Sequence, residues 1–185
     1  MRLFLAVLYT ALALGANAAH ADIAKAESLR EGTMKKLIFS EAQPVSDKTF
    51  TDPGGSEMTL ADFQGKYVVV NFWATWCAPC RKEMPQLSEL QAEFGGDTFE
   101  IVTIATGRNP LPAIDRFFDE IGVENLPKYL DPSSALARDM GVLGLPITVI
   151  LNPEGQEIAR MRGDAEWNSD SAKAIVAALI APADS

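Results

Sequence analysis

The apolar positions of this chain fall into runs with different periods. Residues 67–72 form a mostly apolar run rich in β-branched valine, as expected of a strand that is covered on both faces. Residues 99–105 and 147–151 are further apolar runs of strand length, and shorter runs occupy residues 128–130 and 157–161. The pattern therefore predicts strands at these five positions.

Between the strands, apolar residues recur every three or four positions, which is typical of helices with one buried face. Residues 77–94 show this spacing at positions 84, 87, 90 and 94, and the two glycines at 95 and 96 end the pattern. Residues 111–121 repeat it. We also predict a short helix over 133–140, and a last helix from a cap at Asn168 or Ser169 to about residue 180.

Turn residues predict two hairpins. Asp52-Pro-Gly-Gly55 lies between strand-like stretches within residues 49–60, and Asn152-Pro-Glu-Gly155 leads into the strand at 157–161. Strands that alternate with helices and then end in a hairpin and a helix indicate an α/β layered sheet.

Two cysteines stand at the junction between the strand at 67–72 and the helix that follows it. Cys77 and Cys80 are three residues apart in the first helical turn, so they share one face at a separation that a disulfide tolerates. Pro79 suits a first-turn position. The positive end of the helix dipole lies under Cys77 and favours its thiolate, the form that attacks disulfides. These residues predict a redox site.

The segment around the cysteines resembles a known family. Phe72-Trp-Ala-Thr-Trp-Cys-Ala-Pro-Cys80 is similar to the active-site segment of thioredoxin-fold oxidoreductases, and Pro85 matches the proline that kinks their active-site helix. Residues 81–85, Arg-Lys-Glu-Met-Pro, narrow the resemblance to the exported TlpA/ResA-like branch. The resemblance covers about residues 50–180. It implies a thioredoxin-like fold with an N-terminal β-hairpin and a central helix/strand insertion at about 107–131.

The start of the chain has the composition of a signal peptide. Arg2 precedes the apolar residues 3–15, and Ala19-His-Ala21 predicts cleavage after Ala21, with residues 16–18 as the alternative site. The apolar stretch is shorter than the roughly 20 residues that span a bilayer, so an uncleaved membrane anchor is the competing interpretation. We therefore expect a periplasmic protein with a signal peptide at 1–21. A polar lead-in would occupy 22–47, as a tether or packed on the domain edge, and the thioredoxin-like domain 48–185.

The charge of the chain narrows the choice of partners. The formal net charge is −9, and removing residues 1–21 removes Arg2 and no acid, which gives −10. This charge argues against nucleic acid and anionic lipid surfaces as partners. The sequence has neither a glycine-rich dinucleotide fingerprint nor a P-loop, so we expect no cofactor. We expect protein disulfide substrates, a membrane thiol-electron donor and a monomeric protein.

The two cysteines have different expected roles. Cys77 is nearest the helix N-terminus and is the predicted nucleophile, and Cys80 is the predicted resolving thiol of the same redox-active disulfide. A metal half-site is the alternative for a lone Cys-x-x-Cys. Zinc needs four ligands, however, and the other soft or imidazole candidate, His20, lies inside the predicted signal peptide. We expect no metal site, with two-coordinate copper(I) as the open alternative.

Two further segments are expected to bind substrate. The resemblance implies that Trp76 forms a platform beside the Cys77 sulfur, whereas Trp73 is expected to pack in the core. Gly144, Leu145 and Pro146 open the strand at 147–151, where the family carries a cis-proline facing the disulfide. A cis bond before Pro146 would leave the backbone of Leu145 free to bind an extended substrate segment. The alternative is an ordinary trans proline at the start of a strand.

Glu83 is a candidate for proton handling. It lies three residues after Cys80, on the same helical face, and the ResA-like branch uses an acid at this position in that way. An adjacent carboxylate raises the pKa of a thiol. Asn71 stands where cytoplasmic thioredoxins carry a buried aspartate, and an amide cannot act as a base. The alternative interpretation of Glu83 is a solvated acid that pairs with Arg81, Lys82 or Gln86.

The resulting hypothesis is a periplasmic thiol–disulfide oxidoreductase that reduces specific disulfides in exported proteins. The resemblance implies targets in cytochrome c maturation, the haem-binding cysteines of the apoprotein, or in assembly of the copper site of respiratory oxidases. A dithiol oxidase would instead show a reduction potential nearer about −120 mV than about −270 mV. A peroxidase would turn over hydrogen peroxide rapidly, and a copper(I)-binding module would retain copper without reductase activity.

Overall fold

One mixed sheet runs through the part of the chain that the structure describes. The computed structural model describes residues 23–182, so the predicted signal peptide and its cleavage site lie outside the described residues. Within that range the sheet has eight strands in the order β1-β8-β7-β4-β5-β6-β2-β3. Their bounds are β1 Ile38–Gln43, β2 Phe50–Thr51, β3 Glu57–Met58, β4 Tyr67–Trp73, β5 Phe99–Thr106, β6 Tyr129–Asp131, β7 Ile147–Leu151 and β8 Glu157–Arg162.

Strand β4 lies in the middle of the sheet, parallel to β5 and antiparallel to β7. It is buried from its second residue to its last, which confirms the prediction of a strand covered on both faces. Alternate residues pack into core clusters on opposite faces: Val68, Val70 and Phe72 into one, Val69 and Trp73 into the other. By the same alternation, Asn71 shares a face with Val69 and Trp73.

The helices that flank the sheet are α1 (Ala78–Phe94), α2 (Leu111–Ile121), α3 (Ala135–Asp139) and α4 (Asp170–Ile180), and residues 23–28 are also helical. Helix α1 begins one residue later than predicted, because Cys77 has extended backbone angles, φ −85° and ψ 103°, and serves as the cap. Helix α4 is capped by Ser169, whose hydroxyl accepts a hydrogen bond from the Ala172 N–H. Among residues 23–182, no helix has both the length and the apolar character needed to cross a membrane.

The predicted insertion joins the sheet next to β5. Strand β6 runs parallel to β5 and antiparallel to β2, so it carries the predicted hairpin of β2 and β3 at the sheet edge. Helix α2 packs against the end of β4, with the rings of Phe117 and Phe118 centred 4.6 and 5.5 Å from that of Trp73. This architecture confirms the predicted α/β fold with an N-terminal hairpin and a helix/strand insertion.

The lead-in packs on the domain over its described part. Strand β1 pairs with β8 and forms one edge of the sheet. Ahead of it, a 3₁₀ turn over Gly32–Lys36 buries Met34, and the next residue, Leu37, is also fully buried. Of the two interpretations of this segment, the structure therefore agrees with packing on the domain edge.

Candidate active site

Cys77 and Cys80 form a disulfide bond at the start of α1, with their Cα atoms 5.3 Å apart. Cys77 caps the helix, and its Sγ accepts a hydrogen bond from the Cys80 N–H at 3.3 Å. The Cys77 N–H in turn donates to the Ala74 carbonyl at 3.1 Å, which closes a tight turn over residues 74–77. Cys77 is 5% exposed and Cys80 is fully buried. The two sulfurs therefore differ both in access and in position along the helix dipole.

Asn109 holds this turn from the loop that follows β5. Its Oδ1 accepts hydrogen bonds from the Thr75 N–H at 2.8 Å and from the Thr75 hydroxyl at 3.0 Å. Its amide group donates to the Thr106 carbonyl at 2.8 Å, so the buried side chain joins two separate segments. Asn109 was not among the site residues predicted from the sequence. Its sequence signal, an asparagine just before the proline that caps α2, is common in loops and does not reveal a partner in another segment.

The tryptophans on either side of the turn have different environments. Trp73 is fully buried against α2, as predicted, and its indole nitrogen has no hydrogen-bond partner among the described residues. Trp76 is 72% exposed, which is unusual for so large an apolar side chain. The Trp76 ring therefore does not pack in the core, and the residue lies directly beside Cys77 in the chain.

Glu83 is fully buried, so it is not the solvated acid of the alternative interpretation. Its Oε1 accepts a hydrogen bond from Asn71 Nδ2 at 2.8 Å. Its Oε2 accepts from the Trp167 indole N–H at 3.2 Å and from the Ala165 N–H at 3.4 Å. Arg81, one of the proposed ion-pair partners, turns away and pairs with Glu120 at 2.9 Å. Glu83 is thus held by donors from β4 and from the segment that precedes α4.

Burial raises the pKa of Glu83 from its ordinary value of 4.5 to about 7, because removal from water penalises the charged carboxylate. The hydrogen bonds from Asn71, Ala165 and Trp167 oppose this shift, and the negative charge of Asp164 adds to it. A carboxyl group with such a pKa can hold or release a proton near neutral pH.

Asn71 links Glu83 to the neighbouring strand β7. Its Nδ2 donates to Thr148 Oγ1 at 2.9 Å as well as to Glu83, and its Oδ1 has no partner among the described residues. The pairing of Asn71 with Thr148 in the β4–β7 ladder explains this contact. Asn71 therefore orients the carboxyl group without carrying a charge of its own.

The segment Gly144–Pro146 leads into β7 at the same end of the sheet. Ile147 pairs with Phe72, so Pro146 lies beside the end of β4 that leads to the cysteines. The Leu145–Pro146 bond is cis, as predicted. The Pro146 carbonyl accepts from the Gly163 N–H at 3.0 Å, whereas the N–H and carbonyl of Leu145 make no hydrogen bond to another described residue. Leu145 packs against the core cluster that contains both cysteines.

Among residues 23–182, no group of three or more His, Cys, Asp or Glu side chains is placed to hold a metal ion.

A thioredoxin-like sheet with a disulfide in the first turn of its central helix defines a class, the thioredoxin-fold thiol–disulfide oxidoreductases. Comparison with known proteins is more specific. The chain belongs to the Redoxin family, whose model matches residues 40–178. It is 34% identical over 128 residues to the thiol-disulfide oxidoreductase ResA of Bacillus subtilis, an alignment that covers 69% of this chain and 70% of ResA.

Two solved structures have the same fold. A protein assigned as the thiol:disulfide interchange protein DsbE of Chlorobium tepidum gives a TM-score of 0.65 at 24% identity, covering 77% of this chain and 99% of that one. A secreted Mycobacterium tuberculosis disulfide oxidoreductase, homologous to Escherichia coli DsbE, gives 0.60 at 27% identity, with coverage of 71% and 96%. The present protein is accordingly a thiol–disulfide oxidoreductase of the ResA and DsbE type.

Proposed function

We propose that this protein reduces specific disulfides of exported proteins in the periplasm. In the reduced protein, the Cys77 thiolate attacks a substrate disulfide, forms a mixed disulfide and displaces one substrate thiolate. The Cys80 thiol loses its proton and attacks the Cys77 sulfur, which releases the second substrate thiolate. The substrate gains two electrons, and the protein is left with the Cys77–Cys80 disulfide. A membrane thiol-electron donor then reduces that disulfide again.

The single observation that carries this assignment is the asymmetry of the two sulfurs. Cys77 caps α1 and retains some exposure, whereas Cys80 lies within the first turn and is fully buried. The N–H groups at a helix N-terminus favour a thiolate, and attack on a protein disulfide requires access to it. Both effects favour Cys77 as the nucleophile and leave Cys80 to resolve the mixed disulfide.

Glu83 is proposed as the group that handles the proton of this reaction. It lies one helical turn beyond Cys80, and its pKa of about 7 suits exchange of a proton near neutral pH. Its carboxylate would accept the proton that the Cys80 thiol loses on attack. A negative charge so close to the thiols also raises their pKa, which slows their oxidation until a substrate has docked.

The substrate-binding surface is proposed to comprise Trp76 and the segment Gly144–Pro146. The free backbone N–H and carbonyl of Leu145 can pair with an extended substrate strand, and the exposed Trp76 ring can cover apolar residues next to the substrate cysteine. The proposed targets are the haem-binding cysteines of apocytochrome c or the copper-site cysteines of a respiratory oxidase. Their shared chemistry is a cysteine pair that must be reduced before a cofactor is attached.

Trapping of mixed disulfides in cells that export the protein tests this function. Cys80→Ser should accumulate a covalent adduct with its substrate through Cys77, whereas Cys77→Ser should accumulate little. Sequencing of the trapped protein identifies the target. Preferential trapping by Cys77→Ser would reverse the two roles, and a reduction potential near about −120 mV would indicate an oxidase instead of a reductant.

A further inference from the structure

The segment between β8 and α4 covers the carboxyl group of Glu83. Trp167, the residue that supplies the indole donor, is 1% exposed, and Ala165 contributes its backbone N–H from the same segment. The two donors lie 82 and 84 residues beyond Glu83 in the chain. We call residues 163–167 the covering loop.

The covering loop is fixed in place by contacts on both sides. The Trp167 N–H donates to Gln86 Oε1 at 2.9 Å, which ties the loop to α1. The Glu166 N–H donates to Thr33 Oγ1 at 2.9 Å, and Lys36 Nζ donates to the Asp164 carbonyl, which tie it to the lead-in. The indole of Trp167 is therefore part of a braced segment that presents it to Glu83.

We propose that Trp167 is a positioning residue that fixes the orientation of the Glu83 carboxyl group and stabilises its ionised form. This inference rests on the proposed function in which Glu83 handles the thiol proton. An ionised carboxylate only accepts hydrogen bonds, and each of the partners of Glu83 named above is a donor. Loss of a buried donor leaves a carboxylate oxygen unpaired and makes the ionised form less stable.

Other charged and titratable groups near Glu83 also influence its ionisation, and their influence must be distinguished from that of Trp167. Asp164, in the covering loop, carries a negative charge that raises the pKa of Glu83. The Nζ atom of Lys82 on α1 lies 3.8 Å from Oδ2 of Asp164. Asn71 on β4 and Thr148 on β7 are uncharged. The cysteines at the start of α1 are joined in the disulfide and do not titrate in that form. A titration of the oxidised protein therefore reports on Glu83 without interference from the thiols.

The test compares two buried tryptophans. Trp167→Phe removes the indole donor and keeps an aromatic ring, and Trp73→Phe is the matched control because the Trp73 indole has no partner among the described residues. The carboxyl carbon of Glu83 is followed by ¹³C NMR in oxidised protein across pH 4–9 and is assigned with Glu83→Gln. We expect the midpoint to rise by about one pH unit in Trp167→Phe and to stay at the wild-type value in Trp73→Phe.

Equal midpoints in wild type and Trp167→Phe would overturn the inference, as would an equal shift in Trp73→Phe. A second measurement requires no variant of Trp167. In the wild-type protein, the ¹⁵N-labelled indole N–H of Trp167 should shift with the midpoint of Glu83, whereas the indole of Trp73 should not. A Trp167 signal that is unchanged across the titration would also overturn the inference.

The proposed function has its own readout. In reduced protein, Glu83→Gln should lower the pH midpoint for alkylation of the thiols, because a negative charge near them is removed. Identical alkylation profiles would contradict proton handling by Glu83 but would leave the NMR result on Trp167 intact. The two failures are therefore distinguishable.

Discussion

At the residue scale, Glu83 combines two properties that oppose each other. Its surroundings exclude water, which disfavours a charge, yet its hydrogen-bond partners are donors, which favour one. The result is a pKa of about 7, and burial is the larger effect. A neutral core residue would pack at lower cost, so the acid is best explained by the proton transfer proposed for it.

This balance predicts a pH-dependent stability. The pKa of Glu83 is about 7 in the folded protein and 4.5 ordinarily, so between these values the folded state retains a proton that the unfolded chain has lost. The contribution of Glu83 to the free energy of unfolding is fully present below pH 4.5 and is lost as the pH rises to 7. The change is about 3 kcal/mol. Denaturant unfolding of oxidised wild type and Glu83→Gln should show this difference in pH dependence.

The exposed acid Glu124 supplies the control for that measurement. Glu124→Gln should follow the wild-type curve, so that wild type and Glu124→Gln both lose stability relative to Glu83→Gln as the pH rises. Parallel curves for Glu83→Gln and wild type would show that Glu83 ionises in the folded protein as it does in the unfolded chain.

At the element scale, the insertion braces the turn that carries the cysteines. Asn109 binds Thr75 within the turn, and α2 packs on Trp73 just before it. After the cysteines, Arg81 lies over the Phe117 ring at 4.5 Å and pairs with Glu120. The insertion therefore contacts the active-site segment before, within and after the turn.

Removal of the Asn109 contact should loosen the turn. Asn109→Ala leaves the N–H and hydroxyl of Thr75 without their acceptor, which should cost about 1–3 kcal/mol in the free energy of unfolding. Because the same turn places Cys77, the rate of exchange with a protein disulfide should also fall. Denaturant unfolding and stopped-flow exchange measure the two effects.

Arg108 provides a neighbouring control, since its side chain is exposed on the same loop. Arg108→Ala should remain within about 0.5 kcal/mol of wild type, as is usual for surface substitutions. If Asn109→Ala behaves like Arg108→Ala in both assays, the hydrogen bonds to Thr75 do not position the active-site turn.

The elements themselves could be predicted largely from local sequence. The mostly apolar runs predicted β4, β5 and β7, and helical spacing predicted α1 and α2, because both patterns reflect burial of neighbouring residues. The predicted end of an element differs from the observed one where backbone angles determine it. At Cys77, extended backbone angles make the helix begin one residue later than predicted. The contacts of Glu83 with Trp167 and of Asn109 with Thr75 could not be predicted, because these partners are 84 and 34 residues apart in the chain. Such contacts depend on how the strands are ordered.

At the scale of the whole molecule, the lead-in contacts the covering loop, which in turn contacts Glu83. The lead-in adds β1 to the sheet edge, and its Thr33 and Lys36 bind the covering loop. Arg30 also donates to the Leu37 carbonyl at 2.6 Å, a hydrogen bond within the lead-in. From sequence, this region showed only one apolar cluster in a polar stretch, so both a tether and a packed edge were compatible with it.

The last prediction distinguishes a structural lead-in from a tether. Met34 is fully buried in the core cluster that includes α1 and α4, so Met34→Ala should leave a cavity and cost about 2–5 kcal/mol in the free energy of unfolding. The neighbouring Lys35 is exposed, and Lys35→Ala should have almost no effect. Denaturant unfolding followed by tryptophan fluorescence measures both variants. Equal stability of Met34→Ala and Lys35→Ala would mean that burial of Met34 adds nothing to the stability of the fold, as expected of a tether.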